Sequence, residues 1–299
     1  MRRFMRDCIQ NSIIGGVIIF LFLLGDAPRT YTEAVLLNNA YAEALPKTAK
    51  SFVVFDATLY KNKPDLSVYG IRPLNILYVS QFYKNNDSME QLPSRFRVKE
   101  LANKAAIRGD FVLIDIEHWP VKGMGADVSE TVYKFSELIK WFREDQPSLR
   151  LGVYALPPIQ DYWRAIGGPT GKGYQAWQAE NNKLMSIAQS ADAVFPSLYT
   201  FYPDRQGWEK YAVEQIREAR RFGKPVYVFL WPQYHESNRL LGGMFLAQDY
   251  WKLQLETAFK YADGIVIWGG WGETGPTKWN EAAPWWLVTK EFVVRLGSL

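Results

Sequence analysis

Short, continuously apolar segments separated by helix-like stretches constrain this chain more than any other feature. Seven occur: SFVVFDAT (51–58), LNILYVSQFY (74–83), FVLIDIEHW (111–119), LRLGVYAL (149–156), ADAVFPSLYT (191–200), PVYVFLWP (225–232) and GIVIWGGW (264–271). Several are unbroken apolar runs rather than alternating ones. That pattern suits strands covered on both faces, as in a parallel sheet. Between them lie helical patterns. Residues 127–146 put Val132, Phe135, Leu138, Ile139 and Phe142 on one stripe, with Asp127 and Glu130 spaced as a capping box and Pro147 as a stop. Residues 208–222, ended by Gly223, and 249–261 read as two more helices.

Strand–helix alternation over roughly 250 residues predicts an α/β fold, a TIM-like (β/α) barrel with seven or eight parallel strands and some irregularity. A doubly wound open sheet is the alternative, but no Gly-rich phosphate loop follows the first strand. The barrel domain is expected over 51–299, preceded by a tether over 26–50 and a separate segment over 1–25. That first segment carries Arg2, Arg3 and Arg6 ahead of the apolar run IIGGVIIFLFLL (13–24). A basic start before a short apolar run predicts a secretory signal, hence a secreted, periplasmic or extracellular protein. Ala40-Tyr41-Ala42 offers a cleavage site, and an uncleaved membrane anchor is the other reading.

Composition removes several functions. The only cysteine, Cys8, precedes the apolar run, so the domain contains no disulfide, cysteine nucleophile or cysteine-ligated zinc. Two widely spaced histidines, His118 and His235, do not form a metal-ligand pattern, and no cofactor or metal is expected. A net charge of +4 without a Lys/Arg-rich run does not predict nucleic-acid binding. Twelve tryptophans and 15% aromatic residues are compatible with an aromatic-lined cleft as well as with a Trp-rich core.

In (β/α) barrels the C-terminal strand ends build the site. Asp56, Gln81, Asp115, Glu117, Tyr199, Trp231 and Trp268 stand at or near such ends. Asp115 and Glu117 are the sharpest pair, because residues i and i+2 of a strand share a face and both carboxylates would enter the barrel. Two close carboxylates resist joint ionisation, so one is expected to keep a proton and serve as a general acid. His118, on the opposite face, is expected to pack, and His235 to lie in a solvated loop. Glu236 and Glu273, beyond the sixth and seventh strands, are candidates for a nucleophile in a two-carboxylate retaining mechanism. Trp119, Trp163, Trp231 and Trp271 are candidates for stacking on sugar rings.

The segment IDIEHWP (114–120) resembles the Asp-x-Glu-x-Trp segment of the hyaluronidase family of glycoside hydrolases. FPSLY (195–199) is similar to that family's Phe-Pro-Ser-x-Tyr strand end, and IVIWGG (265–270) to its last strand, which ends in a pocket Trp. The resemblance implies an irregular barrel and retaining, substrate-assisted hydrolysis of a polysaccharide containing N-acetylhexosamine. By motif match Glu117 would be the acid/base, Asp115 would orient the acetamido group, Tyr199 would bond its oxygen, and Trp268 would wall its methyl. Asp56, Gln81, Trp119, Trp231, Tyr234, Trp268, Trp271 and Glu273 complete the expected substrate contacts. Pro120 stands where the family has an Arg, and Pro232 follows Trp231, leaving Tyr234 as the candidate for a second pocket Tyr. A barrel that binds glycan without cleaving it is the remaining alternative.

Overall fold

The apolar runs lie side by side and point the same way. The computed structural model describes residues 52–84, 87–108, 111–122 and 127–297; the expectations for 1–25 and 26–50 fall outside them. In chain order the strands are β1 (Val53–Thr58), β2 (Arg72–Pro73), β3 (Asn75–Tyr78), β4 (Phe111–Asp115), β5 (Arg150–Val153), β6 (Tyr227–Leu230) and β7 (Gly264–Gly269). A small antiparallel hairpin of β8 (Trp271–Gly272) and β9 (Gly275–Pro276) follows. The helices are α1 (Val79–Phe82), α2 (Arg95–Arg108), α3 (Val128–Asp145), α4 (Tyr162–Ile166), α5 (Lys172–Asn182), α6 (Met185–Ser190), α7 (Arg205–Arg220), α8 (Gln248–Tyr261) and α9 (Pro284–Leu296).

The strands close into a ring. β1 pairs in parallel with the last barrel strand, β7, and β7 with β6. On its other side β1 pairs with β2, which runs on through Leu74 into β3; β3 pairs with β4, and β4 with β5. Residues 193–200 fill the remaining place. They form isolated parallel bridges, Tyr154 with Phe195, Val194 with Val226 and Ser197 with Phe229, rather than a regular ladder. Pro196 lies in this stretch and has no N–H to give to a ladder. The fold is therefore an irregular TIM-like (β/α) barrel. Pairing of its first and last strands excludes the open doubly wound sheet.

Two local expectations need correction. The second strand stops at Tyr78 instead of continuing to Tyr83, because the Tyr78 N–H donates to the Gln81 side-chain oxygen (2.9 Å) and the chain winds into α1. Only half of the α3 capping box forms: the Asp127 carboxylate accepts from the Glu130 N–H (3.0 Å), while the Glu130 carboxylate turns to Lys134 (2.7 Å).

Alternate strand residues enter the ring, as period two requires. At the N-terminal end they form an aromatic plug. Phe111 meets Phe195 at 5.3 Å edge to face, Phe55 meets Tyr227 at 5.3 Å, and the Arg150 guanidinium covers the Phe111 ring at 5.0 Å. Gly152 makes room for this plug, because a Cβ there would lie 2.3 Å from Phe195 Cε2. With that end filled, the C-terminal strand ends, where Glu117 is exposed, form the accessible end of the barrel. The opposite strand residues, among them Val54, Val112, Ile114, Val153 and Ile265, pack outward against the helices in a separate, larger core.

Candidate active site

Above the plug, the inward row of β4 continues from Phe111 and Leu113 to Asp115, and Glu117 stands just past the strand end. Asp115 is half-buried and Glu117 is exposed. Burial raises the Asp115 carboxyl well above the usual range, and the charge of Glu117 beside it adds to the effect. Glu117 is raised as well, by burial. The two groups titrate as a pair rather than one by one. None of the ion pairs among the described residues includes either carboxylate.

Three tyrosines, from β3, from just past β5 and from residues 193–200, stand around the pair. Tyr78 is the direct β-ladder neighbour of Asp115. Its hydroxyl is buried beside the Trp268 indole, and burial pushes it up to about 12. Tyr154, two residues past Gly152, donates to Ser197 Oγ (3.3 Å), and the Gln160 amide donates to the same Ser197 Oγ (3.1 Å). Burial and then the Glu117 charge raise Tyr154 well above its ordinary range; Tyr199 is raised likewise, by burial and then by Tyr154. All three hydroxyls therefore stay protonated and can donate hydrogen bonds at neutral pH. Directly after Tyr154 the backbone enters the left-handed region at Ala155 (φ 54°), held there by the Ala155 N–H donating to the Phe195 carbonyl (2.9 Å). A non-glycine residue in that region costs on the order of 1–3 kcal/mol, a strain that clusters at functional sites.

An aromatic wall completes the mouth. Trp268 meets Trp231 edge to face at 4.8 Å and Tyr199 at 5.9 Å, and Tyr199 meets Trp231 at 5.5 Å. After Trp268 the chain turns through Gly270 (φ 82°), where a Cβ would sit 2.6 Å from the Tyr60 backbone nitrogen. Only glycine permits that approach. His235 packs on Tyr199 (6.2 Å) and Trp231 (6.1 Å) and is buried, not solvated as expected. Its Nδ1 accepts from the Ser237 N–H (3.1 Å), and burial lowers its pKa to about 4, so the ring is neutral at pH 7.

Asp115, Glu117, Tyr199, Trp231 and Trp268 are thus brought together. Other expected contacts stand elsewhere. Asp56 lies on the outward face of β1, ion-paired with Lys63 and accepting from Thr58 Oγ1 (2.7 Å). Gln81 caps α1. Trp119 is buried against Phe135 (4.9 Å) and donates to the Met89 carbonyl (2.9 Å), behind the site rather than in it. Tyr234 turns to Tyr250 (6.4 Å), and His235 takes the inward place beside Trp231. Trp271 is half-buried in β8, Glu273 is exposed at the β8–β9 turn, and Glu236 is exposed beyond β6. Tyr78, Tyr154, Ser197 and Gln160 were not anticipated. Period-two counting through Leu74-Ile76-Tyr78 and Arg150-Gly152-Tyr154 would have found the two tyrosines. Among the described residues, no group of three or more His, Cys, Asp or Glu could hold a metal ion.

The fold is similar to solved structures of bee venom hyaluronidase. One aligns with a TM-score of 0.55 at 16% identity, covering 83% of this chain and 96% of that one. Another, in complex with a hyaluronic acid tetramer, aligns at 0.54 and 15% identity over 83% and 95%. A Cellulomonas fimi endo-beta-1,4-mannanase double mutant aligns at 0.50 and 10% identity, over 76% of this chain and 55% of that one. No protein-family model and no curated protein sequence matches the chain.

Proposed function

We propose that this protein is a glycoside hydrolase acting on a polysaccharide that contains N-acetylhexosamine, by a retaining, substrate-assisted route. One observation carries the reading: two adjacent carboxyls, both raised and neither ion-paired, stand at the C-terminal strand ends of the barrel, Glu117 exposed to solvent, among protonated tyrosines and tryptophan rings. A raised carboxyl keeps a proton for a leaving group near neutral pH. The likeness to hyaluronidase structures supports the barrel on which this reading rests.

In this route the acetamido carbonyl oxygen of the bound sugar forms a bond to its own anomeric carbon. The glycosidic C–O bond breaks, and the departing oxygen takes the Glu117 proton. Asp115 orients the acetamido N–H and balances the charge that develops on the ring so formed. Tyr199 donates to the acetamido oxygen, and Trp268 walls its methyl. Glu117, now a carboxylate, then removes a proton from water, which opens the ring from the opposite side and restores the original anomer. No second carboxylate nucleophile is required, which agrees with Glu236 and Glu273 lying in exposed turns.

Glu117→Gln is expected to lower kcat about a hundred- to ten-thousandfold while binding of N-acetylated oligosaccharides survives. Product analysis by NMR should show retention, and a thiazoline mimic of the cyclised intermediate should inhibit. Turnover by Glu117→Gln at the native rate would refute the acid role. Failure of the thiazoline with turnover intact would transfer the mechanism to the two-carboxylate route.

A further inference from the structure

The mouth carries an exposed aromatic surface that this mechanism does not use. Trp163, on α4 after β5, is 65% exposed, and Tyr202, just past residues 193–200, is 38% exposed. Their rings meet at 5.4 Å with an interplanar angle of 50°, forming a shallow V. Beneath them Tyr162, itself buried, contacts Trp163 at 5.1 Å and Tyr202 at 5.0 Å. The two exposed rings are thus held in place from below before anything binds. A Trp face left open to water on a preformed support is a surface to explain, in a way that a scattered exposed Leu is not.

Position gives the reason. Both residues follow C-terminal strand ends, on the rim that holds Glu117. Ring contacts run without a break from the site to this surface: Tyr199 to His235 (6.2 Å), His235 to Phe201 (4.8 Å), Phe201 to Tyr202 (6.4 Å) and Tyr202 to Trp163. The order is anchored by the Asn238 side chain, which donates to the Phe201 carbonyl (2.7 Å). The C–H-rich face of a pyranose packs on such rings, and a rigid support avoids the entropy cost of ordering them on binding.

We propose that Trp163 and Tyr202 form a distal carbohydrate subsite, which holds a sugar unit of the same polymer chain several residues away from the bond being cleaved. This deepens the glycosidase reading and rests on it for the identity of the chain. The subsite favours long substrates over short ones and directs attack to the interior of a polymer.

The test uses the full chain and two probes, oligomers of N-acetylglucosamine and oligomers of hyaluronan, each from disaccharide to octasaccharide. Hydrolysis is followed by reducing-end release, and binding by electrophoresis through gels containing the parent polymer. With the preferred probe, Trp163→Ala and Tyr202→Ala should each shrink the kcat/KM advantage of octasaccharide over disaccharide about three- to tenfold. They should also weaken retardation in the gel, Trp163→Phe should restore part of both effects, and Glu117→Gln should stay retarded. An unchanged length dependence and unchanged retardation in Trp163→Ala overturn the subsite and leave the chemistry at Glu117 standing. Retardation that depends on Trp163 without hydrolysis by the wild type overturns the enzymatic reading and supports the subsite. A wild type that neither polymer retards overturns the subsite outright.

Discussion

Gly152→Ala should destabilise the barrel, and the cost can be worked from the packing around β5. A Cβ at this position would lie 2.3 Å from Phe195 Cε2, 2.6 Å from Cδ2 and 3.2 Å from Leu113 Cδ1. Carbon atoms settle at about 3.5–4.0 Å, so the Phe195 ring would have to retreat by more than about 1 Å. It has little room to do so: Phe195 is fully buried and boxed by Phe111 at 5.3 Å and Tyr227 at 5.6 Å. Overpacking of this kind costs about 1–3 kcal/mol, and two clashes with one rigid ring put it near the upper end. Alanine recovers about 0.4–1 kcal/mol by restricting the unfolded chain, which leaves a net loss of about 2 kcal/mol. For a domain of this size that is a fall in Tm of roughly 4–8 °C. Thermal melts and urea titrations of the full chain would measure it. Gly173→Ala, in α5, is the control, because its Cβ would meet only the flexible Arg164 side chain, Cγ at 3.5 Å and Cδ at 3.9 Å, and it should hold or raise Tm. Since Phe195 leads directly to Ser197 and Tyr199, Gly152→Ala should also lower kcat/KM. A Gly152→Ala protein as stable as the wild type would refute the account of the plug.

Asp115→Asn should lose activity yet gain stability at neutral pH. A carboxyl whose folded pKa is raised contributes its stability below the unfolded value and loses it as pH rises through the folded one, so the wild type carries this penalty at neutral pH and Asp115→Asn does not. Melts across pH should therefore separate the two proteins near neutrality and bring them together in acid; a gap that widens in acid would reverse the sign. Trp119→Ala should cost about 3–5 kcal/mol through the cavity and the lost bond to Met89, seen as a large drop in Tm. An unchanged Tm with a raised KM would instead place that ring in the cleft.

The fold was legible because parallel strands covered on both faces leave unbroken apolar runs, and the run from Phe111 to Asp115 announces itself that way. The stretch 193–200 was equally apolar, but its reduction to isolated bridges depends on Pro196 and on neighbours far along the chain. In the site, period-two counting works while the strand lasts. It places Asp115 in the barrel and would have removed Asp56, which follows the inward Phe55. It fails just past strand ends. Trp119 has the parity of Asp115 and Glu117, yet the chain turns after the strand and the indole goes to Met89. Beyond Pro232 the count holds again: from the inward Phe229 and Trp231 it sends His235 inward and Tyr234 outward, so parity would have corrected Tyr234 as well. Tyr78 and Tyr154 were readable by parity, but a strand-end tyrosine resembles any core aromatic until its neighbours are known.

The aromatic plug makes the barrel a cul-de-sac. Phe55, Phe111, Phe195 and Tyr227 fill the axis, so a glycan bound as proposed would drape across one lip rather than thread the molecule. On that reading, fragments would depart through the same doorway by which the polymer entered. The opposite pole is thereby free of traffic, and attachment to a surface or a neighbouring module there would leave the doorway unobstructed.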